Sequence, residues 1–260
     1  MHVEVNGFVS DHARKLVLFA IQHGMHLLIT GPRGSGKTEL VLWAARHLGR
    51  PSMVCHLGSS ADVEATLQGT VQLRNGETHF NRARFADGVT VPLTVMVLEE
   101  MNRSGDVKTQ GMLLSLMDGQ RTLYLDQEDP EKRTVEVADG VVFIGTANVG
   151  VDYHGTEPLD AALLDRMLKL ELDYSPKEYE LLLAHDLCEA EAKRVMKIAK
   201  NIRKRHAGGA LAGSISTRGL VQVATMLTHD FSIETTFETV MGMWEPESRA
   251  ALRTILKATS

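Results

Sequence analysis

Gly31, Gly36, Lys37 and Thr38 stand at the spacing G-x-x-x-x-G-K-[ST], inside the run Gly31-Pro32-Arg33-Gly34-Ser35-Gly36-Lys37-Thr38-Glu39. Glycines let the backbone curl until successive N–H groups converge on phosphate oxygens, and a helix beginning near Lys37 adds the positive end of its dipole. Lys37 can then reach the β- and γ-phosphates while the Thr38 hydroxyl ligates Mg²⁺. The ligand implied is a nucleoside triphosphate with Mg²⁺, and residues 31–39 are the candidate binding loop. Such a loop needs carboxylates on a neighbouring strand to hold the metal and the attacking water. Val95-Met-Val-Leu98-Glu99-Glu100 supplies them, four apolar residues followed by two acids at the carboxyl end of a buried strand. Glu99 is assigned to a Mg²⁺-bound water and Glu100 to the water that attacks.

These residues need a parallel sheet to position them. A helix over Ala13–His23, capped by Ser10 or Asp11, precedes the Leu27-Leu-Ile strand, and a helix from Lys37 to about His47 follows the loop. Gly49-Arg-Pro51 stops that helix, and Ser52–Leu57 reads as a second strand. Ser60 and Asp62 are cap candidates for a short helix ending near Gly69. Asn75-Gly76 is a two-residue hairpin signal, setting Arg74 opposite Glu77, Leu73 opposite Thr78 and Val71 opposite Phe80. Next come the strand Leu93–Leu98, a helix from Asp106 to Met117, a second hairpin over 119–138, and the strand Val141–Gly145. A helix over Pro158–Asp165 and the strand Leu168–Leu172 complete the series. Alternating strands and helices predict an α/β fold, a parallel sheet with helices on both faces. After Tyr174-Ser-Pro176 only helical patterns remain, at Lys177–His185, Glu189–His206, Thr217–His229 and Pro246–Lys257. The expected division is an α/β nucleotide-binding domain, 1–174, with hairpin insertions at about 70–81 and 119–138, and a helical lid, 175–260.

A chain of 260 residues with net charge -5 is not built to coat nucleic acid by charge alone. Two cysteines, Cys55 and Cys188, far apart and outside any C-x-x-C, predict no disulfide and a reducing, cytoplasmic setting. Met1-His-Val-Glu-Val-Asn-Gly lacks the pattern of a signal peptide, and the run Leu16–Ile21 is far short of the roughly 18 apolar residues of a membrane span. Eleven histidines show no metal-ligand spacing. On the helix 189–206, Lys193, Lys197, Lys200 and Lys204 share one face and Val195, Ile198 and Ile202 another. That pattern fits a solvated lid face, or a groove for nucleic acid or an acidic partner.

The phosphate loop, Leu98-Glu-Glu-Met-Asn-Arg103 and Thr146-Ala-Asn148 resemble the AAA+ ATPases. More narrowly they resemble the MoxR branch, with its CbbQ/NorQ-type activators and CobS-like chelatase subunits. That branch reads Asp-Glu-Ile-Asn-Arg at the second motif, and this chain has Glu99 in place of the aspartate. The resemblance extends over nearly the whole chain. It implies a RecA-like core, ATP and Mg²⁺, and a homo-oligomeric, hexameric ring. Asn148 matches the sensor-1 asparagine that contacts the γ-phosphate or the water. Arg166, at the end of Leu159-Asp-Ala-Ala-Leu-Leu-Asp-Arg, matches the arginine finger that enters a neighbouring subunit's site. Arg218, in Ser216-Thr-Arg218, matches the sensor-2 arginine, and Arg103 is an inter-subunit candidate. The hairpins put His79, Phe80 and Tyr124 in reach of a substrate, though cross-strand packing also accounts for them. The implied activity is ATP hydrolysis that remodels a protein client, often with a separate von Willebrand A-domain protein; no D-x-S-x-S occurs here. A DNA-directed motor or loader and an ATP-gated scaffold with little hydrolysis are the alternatives. The first shares every ATP-site residue, and the second is disfavoured by the intact acid pair.

Overall fold

The structure, a computed structural model, describes residues 9–58, 62–103, 107–148, 159–242 and 245–258. The expected roles of Ser60, Asp106 and Pro158 as helix-boundary residues lie outside those described.

Helix α1 (Asp11–Gln22) is capped by Ser10, whose hydroxyl accepts from the Ala13 N–H at 3.2 Å. It leads into β1 (His26–Gly31), the phosphate loop and α2 (Lys37–His47). Strand β2 (Ser52–His56) and short helix α3 (Val63–Leu67) follow, the latter capped by Asp62. The first hairpin is β3 (Gly69–Arg74) with β4 (Glu77–Arg82), pairing Val71 with Phe80 and Leu73 with Thr78. Asn75 and Gly76 both have positive φ, 54° and 85°, as that turn demands. A helix absent from the sequence reading, α4 (Arg84–Gly88), precedes β5 (Val95–Glu99). A 3₁₀ turn (Met101–Arg103) then leads to α5 (Val107–Met117). The second hairpin is small, β6 (Thr122–Tyr124) with β7 (Thr134–Glu136), and β8 (Val142–Asn148), α6 (Ala161–Asp165) and β9 (Met167–Glu171) complete the α/β portion.

The five main strands form one sheet in the order β2-β5-β8-β1-β9, every described pair parallel. Side chains alternate across it. Leu27, Ile29, Val95, Val97, Val142 and Ile144 pack with Val17, Ala20, Leu40 and Val41 of α1 and α2. Leu28, Met96, Leu98 and Phe143 face the other way, onto Leu113 and Leu116 of α5 and the hairpin side. One expectation needs amending. The acid-bearing strand β5 is not adjacent to β1, because β8 lies between them.

The hairpins are tied together. Arg82 of β4 pairs with Glu128 at 3.2 Å and donates to the Lys132 carbonyl at 3.0 Å. Gln68 accepts from the Asp126 N–H at 2.9 Å, and Lys108 of α5 pairs with Glu64 at 2.7 Å and Asp126 at 3.3 Å.

The remaining described elements are helices: α7 (Glu178–Ala184), α8 (Glu189–Ala207), α9 (Thr217–Leu227), α10 (Ile233–Met241) and α11 (Pro246–Lys257). They share a core of their own around Val195, Ile198, Ile202, Leu220, Phe237 and Leu252. Helix α10 was not read from the sequence, although Ser232 caps it and Phe237 is fully buried. Glu178, 1% exposed, receives both terminal nitrogens of Arg203 at 2.6 and 2.9 Å and the Thr217 hydroxyl at 2.5 Å. The same guanidinium lies 3.6 Å from the Tyr174 ring centroid and donates through Nε to the Ile215 carbonyl. This network joins three helices to the segment entering them.

Candidate active site

The phosphate loop leaves β1 where β8 and β9 flank it, at the carboxyl edge of the sheet. Gly36, at φ 87°, is the N-cap of α2 and offers no side chain to the first turn, so those N–H groups remain for an anion. Two glycines are sterically required. A Cβ on Gly31 would stand 1.9 Å from the Leu172 carbonyl oxygen, and one on Gly34 (φ 74°) would stand 2.7 Å from Cβ of Ser216, the cap of α9. The helical portion therefore rests directly on the loop.

The Lys37 amino group, in a residue 7% exposed, donates to the carbonyls of Gly31 (3.0 Å) and Pro32 (2.8 Å) and to Asn148 Oδ1 (2.9 Å). Burial lowers its pKa to about 8, against the opposing pull of Glu100 and Glu99. Asn148 spans the gap that β8 creates. Its Oδ1 receives Lys37, and its Nδ2 donates to Glu100 Oε1 at 3.1 Å. The Thr38 hydroxyl donates to Glu99 Oε1 in a short contact, so both acids reach the loop.

Glu100 adopts φ 53°, a left-handed conformation that costs a non-glycine residue about 1–2 kcal/mol. Its surroundings hold it there. The Glu100 N–H donates to Thr146 Oγ1 at 3.4 Å, and Arg103 Nη1 lies 3.3 Å from Oε2. Gly58 opposes it, where an added Cβ would meet the Glu100 side chain at 2.6 Å. Arg103 thus contacts the acid of its own chain. Asn102 donates to the Asn148 carbonyl at 2.9 Å.

Residues the sequence reading did not assign also enter the site. His56, at the end of β2, is in register with Glu99, and its Nδ1 lies 2.5 Å from Glu99 Oε2. Thr146 and Gly58 flank Glu100. The pairing of β2 with β5 is what would have exposed His56, and no local pattern encodes that pairing. Arg218 and Arg33 line the cleft above the loop, together with Glu100, Arg103 and Asn148. Glu39 is exposed in the first turn of α2. Arg166 lies away from the cleft lining, its Nη1 donating to the Ala162 carbonyl at 2.8 Å.

The loop fits a polyphosphate on its own chemistry. Ser35 Oγ is buried with no hydrogen-bond partner among the described residues, and Lys37 is turned onto carbonyls of its own loop, where phosphate oxygens are stronger acceptors. A threonine hydroxyl beside a carboxylate is a hard oxygen pair suited to Mg²⁺.

Residues 26–167 match the AAA domain, dynein-related subfamily. The chain belongs to that family. The putative chaperone BssE of Thauera aromatica is 32% identical over 211 residues, covering 79% of this chain and 70% of BssE. NorQ of Paracoccus denitrificans is 26% identical over 227 residues, 85% of this chain and 80% of NorQ. These relatives place it in the MoxR branch, and the chain is an AAA+ ATPase. Among solved structures, the RuvB Holliday junction branch migration motor of Thermotoga maritima superposes with a TM-score of 0.57 at 16% identity, over 94% of this chain and 73% of RuvB. That likeness establishes the P-loop AAA+ fold with its C-terminal helices. No described helix is long and apolar enough to cross a membrane.

Proposed function

We propose that this chain hydrolyses ATP with Mg²⁺ in a hexameric ring and uses the cycle to remodel or activate a protein client. The observation that carries the reading is the continuous chain of contacts Glu99–Thr38 and Lys37–Asn148–Glu100 over the phosphate loop. Thr38 and Glu99 would hold Mg²⁺, which neutralises charge on the β- and γ-oxygens when bound.

Lys37, freed from the loop carbonyls, takes phosphate oxygens, and the N–H groups at the start of α2 take others. Glu100 accepts the proton of the attacking water as its oxygen bonds to the γ-phosphorus and the bond to the β–γ bridging oxygen breaks. Asn148 holds Glu100 at the distance this requires. Arg218 faces the phosphates from the helical side, and Arg166, at the end of α6, stabilises transition-state charge in the neighbouring copy. The two bodies, 1–174 and 175–260, open and close about the 173–176 segment. The naming of BssE as a chaperone supports a protein client, and the MoxR resemblance makes a separate von Willebrand A-domain protein the candidate partner in that activity.

Glu100→Gln is expected to bind ATP and assemble but to lose turnover; turnover within twofold of wild type refutes the assignment. Turnover by the wild type also separates the motor from an ATP-gated scaffold. Arg166→Ala is expected to regain activity in mixed rings with Glu100→Gln, since each supplies what the other lacks. Mixed rings as inactive as either parent refute a finger acting in trans. A salt-steep affinity for DNA that stimulates turnover would favour the DNA-directed reading.

A further inference from the structure

The cleft above the phosphate loop has a volume of about 1610 Å³. A pocket for one small ligand is typically about 300–1,000 Å³, so the nucleotide site accounts for only part of it. The remainder is lined from the helical side, chiefly by α8. That helix buries Ala192, Val195, Ile198, Ala199 and Ile202 in the helical core and turns Lys193, Lys197 and Lys200 to the cleft. The spacing of these lysines is one face of a helix.

Three cations of the cleft have acid partners. Arg103 pairs with Glu100, Arg203 with Glu178, and Lys193 with Glu189 at 2.9 Å. Lys197 and Lys200 are exposed and form no ion pair among the described residues. The same cleft is also lined by apolar side chains: Met196 of α8, Tyr179 of α7, and Val240 and Met241 at the end of α10. A surface that combines ammonium groups with aliphatic and thioether side chains suits a ligand that carries both carboxylates and aliphatic groups.

We propose that this lid end of the cleft, lined by residues of α8 and α10, receives an acidic polypeptide segment of a partner protein, with carboxylates on Lys197 and Lys200 and aliphatic side chains on Met196, Val240 and Met241. Nucleic acid suits it less well. The Tyr174 face that would stack a base is already covered by Arg203, and Met196, Val240 and Met241 offer aliphatic contact in place of a stacking face. The proposal does not depend on hydrolysis, because the residues it uses lie outside the phosphate-binding group.

The test uses the full chain without nucleotide and a fluorescein-labelled 12-residue peptide of alternating Glu and Leu, read by anisotropy at low and high salt. Saturable binding is expected, weakening as salt rises, with affinity at least tenfold lower in Lys197→Glu/Lys200→Glu and lower in Lys197→Gln/Lys200→Gln. The same double reversal outside the cleft, Lys15→Glu/Lys257→Glu, is expected to stay within twofold of wild type. Equal losses in both reversal pairs, no saturable binding, or tighter binding of a 12-nucleotide oligothymidine would each overturn the proposal. Binding of a fluorescent ATP analogue to the same variants is measured in parallel. Loss of that signal in wild type would sink the nucleotide reading and leave the peptide result standing.

Discussion

Gly34 is where the phosphate loop and the helical portion touch, and replacing it with alanine tests that contact. Two costs follow from the geometry. At φ 74° an alanine pays about 1–2 kcal/mol for the left-handed backbone. Its Cβ would also stand 2.7 Å from Ser216 Cβ, where carbon atoms pack at about 3.5–4.0 Å, so the start of α9 must withdraw by about 1 Å. Gly36 supplies the control, because its φ is 87° and an added Cβ meets nothing within 4 Å. Gly36→Ala therefore carries the backbone cost without the collision. Both variants are expected to melt roughly 2–8 °C lower than wild type. Only Gly34→Ala should loosen the cap of α9, where the Gly219 N–H donates to Ser216 Oγ at 3.1 Å and the Leu220 N–H to the Ser216 carbonyl at 2.9 Å. Hydrogen exchange on nucleotide-free protein reads this directly. At least tenfold faster exchange at Gly219 and Leu220 is expected in Gly34→Ala, about 1.4 kcal/mol of local stability, with little change in Gly36→Ala. Equal exchange in the two variants would refute the idea that the helices seat on the loop through Gly34.

Other outcomes follow from the same coordinates. His26 is buried, accepts the Phe143 N–H on Nδ1 at 3.1 Å, and has its pKa lowered by burial, with Arg121 adding to the shift, to about 4. Its unfolded value is near 6.5, so its contribution is complete above that pH and is lost as pH falls toward 4, amounting to about 3 kcal/mol. A urea-unfolding series from pH 7 to 4 should show a flatter profile in His26→Gln than in wild type, and identical slopes would count against the buried neutral imidazole. Arg203→Met leaves the Glu178 carboxylate buried without its cation, and about 3–5 kcal/mol of stability should go with it, read by chemical denaturation. His56→Ala removes the close polar contact on Oε2 of Glu99; the Mg²⁺ needed for half-maximal turnover should rise roughly 3–10-fold, with His56→Asn recovering part of the loss. An unchanged Mg²⁺ requirement would remove His56 from the site.

Local chemistry in the sequence was enough for the loop, the acid pair and the first hairpin. Asn75-Gly76 dictates its turn, and the register read outward from it is the one observed, down to Val71 against Phe80. The nearness of Glu99 to Thr38 was legible because each ends or follows a recognisable buried strand, whereas the nearness of Asn148 to the phosphate loop came from the family resemblance alone. What escaped depends on which strands are neighbours. Without the order β5-β8-β1, Asn148 looks like one more residue near the phosphate, whereas it is the bridge across the strand separating loop from acids. His56 was hidden in the same way. Helix α10 escaped because Thr235, Thr236 and Thr239 give it weak intrinsic helicity; its Ile233, Phe237 and Val240 stripe forms against the helical core. The Glu178–Arg203 pair spans 25 positions of chain and follows no short-range rule.

The ties between the two hairpins have a mechanical consequence. A lone two-stranded ribbon behaves like a springboard, soft at its tip and bending about one root. Here Arg82 and Gln68 act as crossbars between ribbons that begin about fifty residues apart in the chain, and Lys108 ties α5 to the second of them. A force on the exposed Leu73 side is shared with the second ribbon and with α5, which the 3₁₀ turn joins to Glu100. The pair is a braced strut, and cutting one brace should soften both prongs together.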